Sequence, residues 1–223
     1  AWDQGVAPEL PPPAGDKWDR VPIKIPSPWN ANHWGNGPKV GAGTDRPYAP
    51  DSVYYPSYPE PWIHYHMAWM ERGFRVPAEW PASQRLLLHF ESVAGECQVW
   101  VNGRPVGGHF DKYLPFDLDV TDAVARDREN TVRVGVRSYR LFDKRDARYA
   151  KMTAPYPNGS NTDRLSGLWQ DVSLVSLPAV RAEDVFVKTW LDRDTLEAEV
   201  TLRNDTAQAC AVELAGEVRE WVN

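Results

Sequence analysis

The feature that most constrains this chain is a dipeptide, Asn102-Gly103, set between two strand-like segments. Before it, Cys97, Val99 and Val101 alternate with Gln98 and Trp100, the period-2 pattern of a half-buried strand. After it, Arg104 to Gly107 reads as the return strand. Both central residues of a type I′ turn need positive φ, and Asn-Gly meets that need better than any other ordinary pair. The segment is therefore predicted to be a tight hairpin. Strands of the same kind are predicted at His66 to Val76 (closed by Trp80-Pro81), at Leu114 to Val120 and at Asn130 to Arg137, where Val132, Val134 and Val136 share one face. Arg85 to Val93 reads as a buried apolar strand, and Leu168 to Leu177 as the last strand of the block. Convincing amphipathic helix is absent; Thr121 to Arg126 is predicted to make a single turn with Thr121 as N-cap.

Two stretches depart from this rhythm. Thirteen of the 20 prolines fall before residue 62, and Pro is excluded from central strands. Residues 1–61 are thus expected to be an extended wrap. They also carry Trp18, Trp29, Trp34, Tyr54, Tyr55 and Tyr58, unlike a disordered tail, so packing over the strands is expected. Between Ser138 and Ser166 lies a long polar loop, of a length that is uncommon and often functional.

Pro178 marks a second change. Beyond it Leu196, Ala198, Val200 and Leu202 alternate with Glu197, Glu199, Thr201 and Arg203. Val185 to Trp190 and the Val212, Leu214, Val218 pattern read as two further strands. Three strands fall short of the roughly seven that a β-sandwich domain needs, so residues 179–223 are expected to be an incomplete domain with an uncovered apolar face. The start at Ala1, without Met or a signal-peptide pattern, is read as a trimmed terminus.

Charge narrows the function classes. A formal charge of −6 with no basic stripe argues against a nucleic-acid partner, and no run of 18 apolar residues argues for a membrane partner. Two cysteines, Cys97 and Cys210, make no disulfide framework and read as buried free thiols. No phosphate loop, nucleophile elbow or zinc-protease motif is present, and no cofactor is expected. His64 and His66 share a strand face, but a third metal ligand is lacking, so no metal is expected and packing is the simpler reading. Asn158-Gly159-Ser160 and Asn204-Asp205-Thr206 match the glycosylation pattern, which matters only in a eukaryotic secretory pathway. The compartment stays open.

Several motifs occur in an order that resembles the N-terminal region of glycoside hydrolase family 2, the family of β-galactosidases, β-glucuronidases and β-mannosidases. They are Trp69-Met70-Glu71-Arg72-Gly73-Phe74-Arg75-Val76-Pro77, Leu88-His89-Phe90-Glu91-Ser92-Val93 and Val99-Trp100-Val101-Asn102-Gly103-Arg104-Pro105-Val106-Gly107, followed by Leu114-Pro115-Phe116-Asp117-Leu118-Asp119-Val120-Thr121, Asn130-Thr131-Val132 and Ser166-Gly167-Leu168-Trp169-Gln170-Asp171-Val172. Two departures are the Gly after Arg72 and Gln170 where the family usually has Arg. The resemblance covers about residues 60–178, and residues 16–35 fit it more loosely.

The resemblance implies an all-β fold. Residues 1–178 would be a jelly-roll (galactose-binding-like) β-sandwich, and 179–223 the first strands of an immunoglobulin-like sandwich. It implies a non-catalytic N-terminal domain of a glycosidase, buttressing an intramolecular catalytic barrel and shaping its sugar pocket, with a β-glycoside as substrate of the parent. Retaining hydrolysis needs two carboxylates about 5–5.5 Å apart; in the family both sit in the barrel, and no catalytic residue is assigned here. The long loop reaches the substrate in several members through an acidic residue whose matching position is Asn161, with Asp163 and Arg164 beside it. These are the substrate-contact candidates; an ordinary solvated loop is the alternative. Trp29, Trp34 and Tyr58 are candidates for sugar stacking, against simple packing. Two other readings stand beside the accessory domain: a free-standing carbohydrate-binding module, and a structural or homo-oligomer-forming sandwich.

Overall fold

A computed structural model describes residues 65–138 and 166–220, together with Trp18, Ile23, Ile25, Pro26 and Leu141. The described residues are all-β, with no α-helix among them. They fall into two compact units, one running to Ser176 apart from the short stretch 82–85, the other from Leu177 onward.

The first unit is a sandwich of two open sheets. One holds β1 (Met67–Phe74), β6 (Asn130–Arg137), β3 (Gly95–Val101) and β4 (Arg104–Asp111), in that order, with every neighbouring pair antiparallel. The other has β2 (Arg85–Phe90) between β5 (Phe116–Asp119) and β7 (Val172–Leu177). Alternation places one side chain in two inside. Cys97, Val99, Val101, Met70, Val134 and Val136 from one sheet meet Leu86, Leu88 and Phe90 from the other. Phe90 stacks on Phe116 with ring centroids 4.7 Å apart.

The hairpin forms as the sequence predicts. Asn102 has φ 51° and Gly103 φ 79°, so the chain reverses within two residues. Asn102 also acts through its side chain: Nδ2 donates to Ala123 O and to Asn130 Oδ1, each at 2.8 Å, and Oδ1 accepts from Thr131 N at 3.0 Å. Gly95 (φ 139°) lets β3 start against β6, because a Cβ there would lie 2.4 Å from Arg137 O.

Several expected boundaries shift, for local reasons. β4 runs on to Asp111 because Gly108 allows close approach; a Cβ there would lie 2.3 Å from Cys97 O. β5 starts only at Phe116, since Pro115 lacks a donor and Asp111 Oδ1 takes up the amides of 112–114. Along Arg85–Phe90 the residues Leu86, Leu88 and Phe90 are buried, and Arg85, Leu87 and His89 on the other face are partly buried. The turn after β5 is closed by Val120 O, which accepts from Ala123 N and Val124 N. Asp119 Oδ1 takes the Thr121 amide, while Thr121 Oγ1 accepts from Leu86 N at 2.9 Å. Thr121 therefore ties two strands together and is not an N-cap.

The second unit contains one antiparallel pair, β8 (Val180–Trp190) and β9 (Thr195–Asn204), joined through Leu191–Asp194. A bulge between Ala182 and Asp184 keeps the faces in phase. Val185 then faces Val200, Val187 faces Ala198 and Thr189 faces Leu196, which makes one side apolar. Val185, Val187, Leu196 and Leu202 are all exposed. The third strand expected around Val212, Leu214 and Val218 does not form: residues 209–220 carry no ladder and these side chains lie open to solvent. Alternation makes a strand possible, but only pairing makes one. Cys210 is likewise exposed, correcting its reading as a buried thiol, whereas Cys97 is buried and its thiol is pushed up to about 12 by desolvation.

Candidate functional site: the clasp beneath the long loop

Asn161, Asp163 and Arg164, and the aromatic candidates Trp29, Trp34 and Tyr58, lie outside the described residues. What the structure places is the base from which the long loop departs and to which it returns. Ser138, after the last residue of β6, donates its amide to His66 O at 2.7 Å. Ser166, at the far side of the loop, donates Oγ to Ser138 Oγ at 3.0 Å, and both serines are buried. The two ends of the loop are thus held together by their own hydroxyls. Gly167 then exchanges two backbone bonds with Ala94, at 2.9 and 3.1 Å, and Leu168 drops into the core.

A second set of bonds fixes the returning chain. Trp169 Nε1 points at Ser92 Oγ (3.0 Å) and Lys112 O (3.1 Å), and Ser92 Oγ donates to Lys112 O at 2.6 Å. Lys112 itself has no exposed surface. Its backbone is set by Asp111, whose Oδ1 accepts from the amides of Lys112 (2.6 Å), Tyr113 (2.7 Å) and Leu114 (3.0 Å). A carboxylate beside three amides satisfies donors that the end of β4 would otherwise leave buried without partners. The Lys112 ammonium lies 5.6 Å from the Tyr113 ring centroid. Polar groups buried this deeply belong to a network that holds one conformation.

Sequence reasoning used Ser138 and Ser166 as the limits of the loop but missed their mutual bond, and it missed Ser92, Asp111 and Lys112 altogether. A signal for the last two was present. Asp-Lys-Tyr-Leu-Pro has Asp at the start of a turn and Pro after it, which reads as a side-chain-capped break between strands. Nothing in the spacing of Ser92 could have revealed that Trp169 would reach it.

Several carboxylates on the first unit's sheets already have side-chain partners. Glu71 binds Arg133 at 2.7 Å, Glu96 binds Arg137, and Asp117 lies 2.7 Å from His89 Nδ1 with Glu91 at 3.7 Å from Nε2. Among the described residues no group of three His, Cys, Asp or Glu side chains is placed to hold a metal ion. Trp18 spreads over Arg133, with the guanidinium carbon 5.2 Å from its ring, on the same sheet face as Glu71.

The described residues of the first unit form an all-β two-sheet sandwich. Comparison with known proteins is specific: residues 15–178 match the family model "Glycosyl hydrolases family 2, sugar binding domain", and the chain belongs to that family. A beta-galactosidase of Priestia megaterium is 27% identical over 190 residues, which is 85% of this chain and 16% of that protein. A beta-glucuronidase of Paenibacillus borealis is 37% identical over 73 residues, 33% of this chain and 12% of that protein. The solved beta-glucuronidase of Faecalibacterium prausnitzii superposes with a TM-score of 0.50 at 21% identity, covering 63% of this chain and 27% of that one. That likeness concerns the fold. The chain thus spans less than a third of the length of each of these relatives.

Proposed function

We propose that this chain is the non-catalytic N-terminal region of a family 2 glycosidase that hydrolyses an O-linked β-glycoside. In this reading residues 1–178 are the jelly-roll domain and 179–223 the first strands of an immunoglobulin-like sandwich. The catalytic barrel belongs to the same polypeptide. The domain buttresses that barrel and presents the 139–165 loop, with Asn161, Asp163 and Arg164, to the sugar pocket.

The observation that carries this is the clasp. A solvated surface loop does not need both ends bonded to each other and to the core through Ser138, Ser166, Gly167 and Trp169. A loop that must deliver side chains to a neighbouring site does, because positional errors of about 1 Å at a reacting centre are costly. Asn161 carries no charge, so it fits a hydrogen bond to a sugar hydroxyl rather than acid–base work.

The test is made on the native polypeptide that contains this region, assayed with chromogenic β-galactosides and β-glucuronides, the substrates suggested by the names of its relatives. Asn161→Ala is expected to raise KM several-fold with little change in kcat, as the loss of one uniform binding contact would. Absence of β-glycosidase activity in the native polypeptide, or unchanged kinetics in the variant, overturns the assignment. Glycan binding by the 223-residue chain alone would favour a carbohydrate-binding module instead.

A further inference from the structure

The end of the first unit from which the long loop springs carries more than the loop. Strand pairing defines that end. Met67 lies opposite Arg137, Arg137 opposite Glu96 and Glu96 opposite Phe110, so the start of β1, the end of β6, the start of β3 and the end of β4 lie side by side. The bond from Ser92 Oγ to Lys112 O brings the segments after β2 and β4 together there. Among the described residues of the first unit, the large apolar side chains that stand exposed are Tyr65 (47%) and Leu114 (60%). Both belong to this end, Tyr65 just before β1 and Leu114 just after β4. The four strand ends between them span about 14 Å, and the base of the loop, at Ser138 and Gly167, lies within that span. The opposite end is of another kind. Its turns carry Asn102, Arg104 and Arg126, each donating to a backbone carbonyl.

A single exposed leucine on an ordinary turn needs no explanation. Leu114 differs in how its turn is held. Asp111 Oδ1 accepts the amides of Lys112, Tyr113 and Leu114 itself, while Lys112 O accepts from Ser92 Oγ and Trp169 Nε1. The Lys112 side chain is buried, so the turn 112–115 shows no charge at the surface. A rigid apolar tip loses little conformational freedom when it is covered, and the centres of protein interfaces are depleted of charge. We propose that the Leu114 turn is an anchor that seats in an apolar pocket of the polypeptide beyond residue 223, with Tyr65 as a second contact across the loop base. The proposal rests on the function proposed above, in which the catalytic barrel belongs to the same polypeptide. A loop that leaves between Tyr65 and Leu114 reaches a neighbouring site only where that neighbour approaches this end, and the same approach covers both side chains.

The test uses the native polypeptide that contains this region. The photo-reactive amino acid p-benzoylphenylalanine is placed at position 114, and the irradiated protein is mapped by mass spectrometry. An intrachain cross-link to a peptide beyond residue 223 is expected; the same probe at position 104, on the opposite end, gives no link to that peptide. Thermal unfolding supplies a second measurement. Leu114→Gln is expected to lower the midpoint of the native polypeptide by more than about 3 °C and to move that of the 223-residue chain by less than about 1 °C, because there the leucine is already exposed. Leu114→Met, which keeps the apolar volume, leaves both midpoints unchanged. No cross-link, a cross-link only to a second molecule, or equal shifts in the two proteins overturns the proposal. β-Glycosidase activity in a polypeptide whose position 114 finds no partner overturns this inference and leaves the glycosidase assignment standing. A cross-link beyond residue 223 in a polypeptide without that activity does the reverse.

Discussion

The two units begin from the same sequence signal and end in opposite states. In β3, Cys97, Val99 and Val101 alternate with polar or half-exposed residues, and all three are buried. In β9, Leu196, Ala198, Val200 and Leu202 alternate as cleanly, yet Leu196 and Leu202 are 47% and 42% exposed. The difference lies in what faces the strand. β3 sits between β6 and β4 and looks onto a second sheet, whereas β9 has one neighbour and no described layer opposite. Hydrophobic patterning states which side of a strand must be covered; a second sheet supplies the cover.

The comparison predicts unequal responses to the same kind of truncation. Phe90 is fully buried and stacked on Phe116, which also stacks on His109 with centroids 4.3 Å apart. Phe90→Ala is expected to destabilise the first unit by about 3–5 kcal/mol in urea unfolding. Leu202→Ala, on the exposed face of β9, is expected to change stability by less than about 1 kcal/mol, the range of ordinary surface substitutions. Equal losses at the two positions would show that the second unit is covered as fully as the first.

A middle effect is expected where the first unit spends its buried polarity. Asn130 has no exposed surface, and its side chain accepts from Ala125 N (2.7 Å) and Asn102 Nδ2 while donating to Ala125 O (2.7 Å) and Arg128 O (3.2 Å). Asn130→Ala strands several of these partners and is expected to cost about 1–3 kcal/mol. Hydrogen exchange of the Ala125 amide in the variant is the sharper check, because it reports the loss locally. Protection equal to the wild type would mean that Asn130 only fills space.

How much of this was legible follows from the range of the interactions. The hairpin at Asn102-Gly103 and the strand Asn130–Arg137 could be read because their signals are local: a φ requirement and a period of two. The family resemblance could be read because its motifs occur in order along the chain. The clasp could not, since Ser92 and Trp169, or Ser138 and Ser166, meet only after the sheets are assembled. The strand expected near Val212 failed for the complementary reason: its pattern is right, but it has no partner in the ladder. Asn161, Asp163, Arg164, Trp29, Trp34 and Tyr58 rest on the sequence and the resemblance alone.

The smallest effect expected is electrostatic and confined to the second unit, which makes it a fine test of how that unit is held. At the open end of the hairpin Asp205 receives Arg203 at 2.8 Å and Arg181 at 2.6 Å, and its amide bonds Ala179 O at 2.8 Å. The hydrogen bonds from Arg203 first, then Arg181, hold its carboxyl down at about 2, against an ordinary value of 3.8. A carboxyl whose folded pKa is depressed binds protons more readily unfolded, so acid favours the open state. The contribution is complete above about pH 4 and fades as pH falls toward 2. Amide protection along β8 and β9 is therefore expected to decline across that window in the wild type. In Asp205→Asn it should start lower at neutral pH and lose this pH-dependent component. Where the core of the first unit withstands the same acidification, the two halves of the molecule are shown to be held by different forces: one by apolar burial, the other by a few ion pairs at the open end of a hairpin. A decline in both units together, unaltered by the substitution, would instead place the acid-sensitive group in the sandwich.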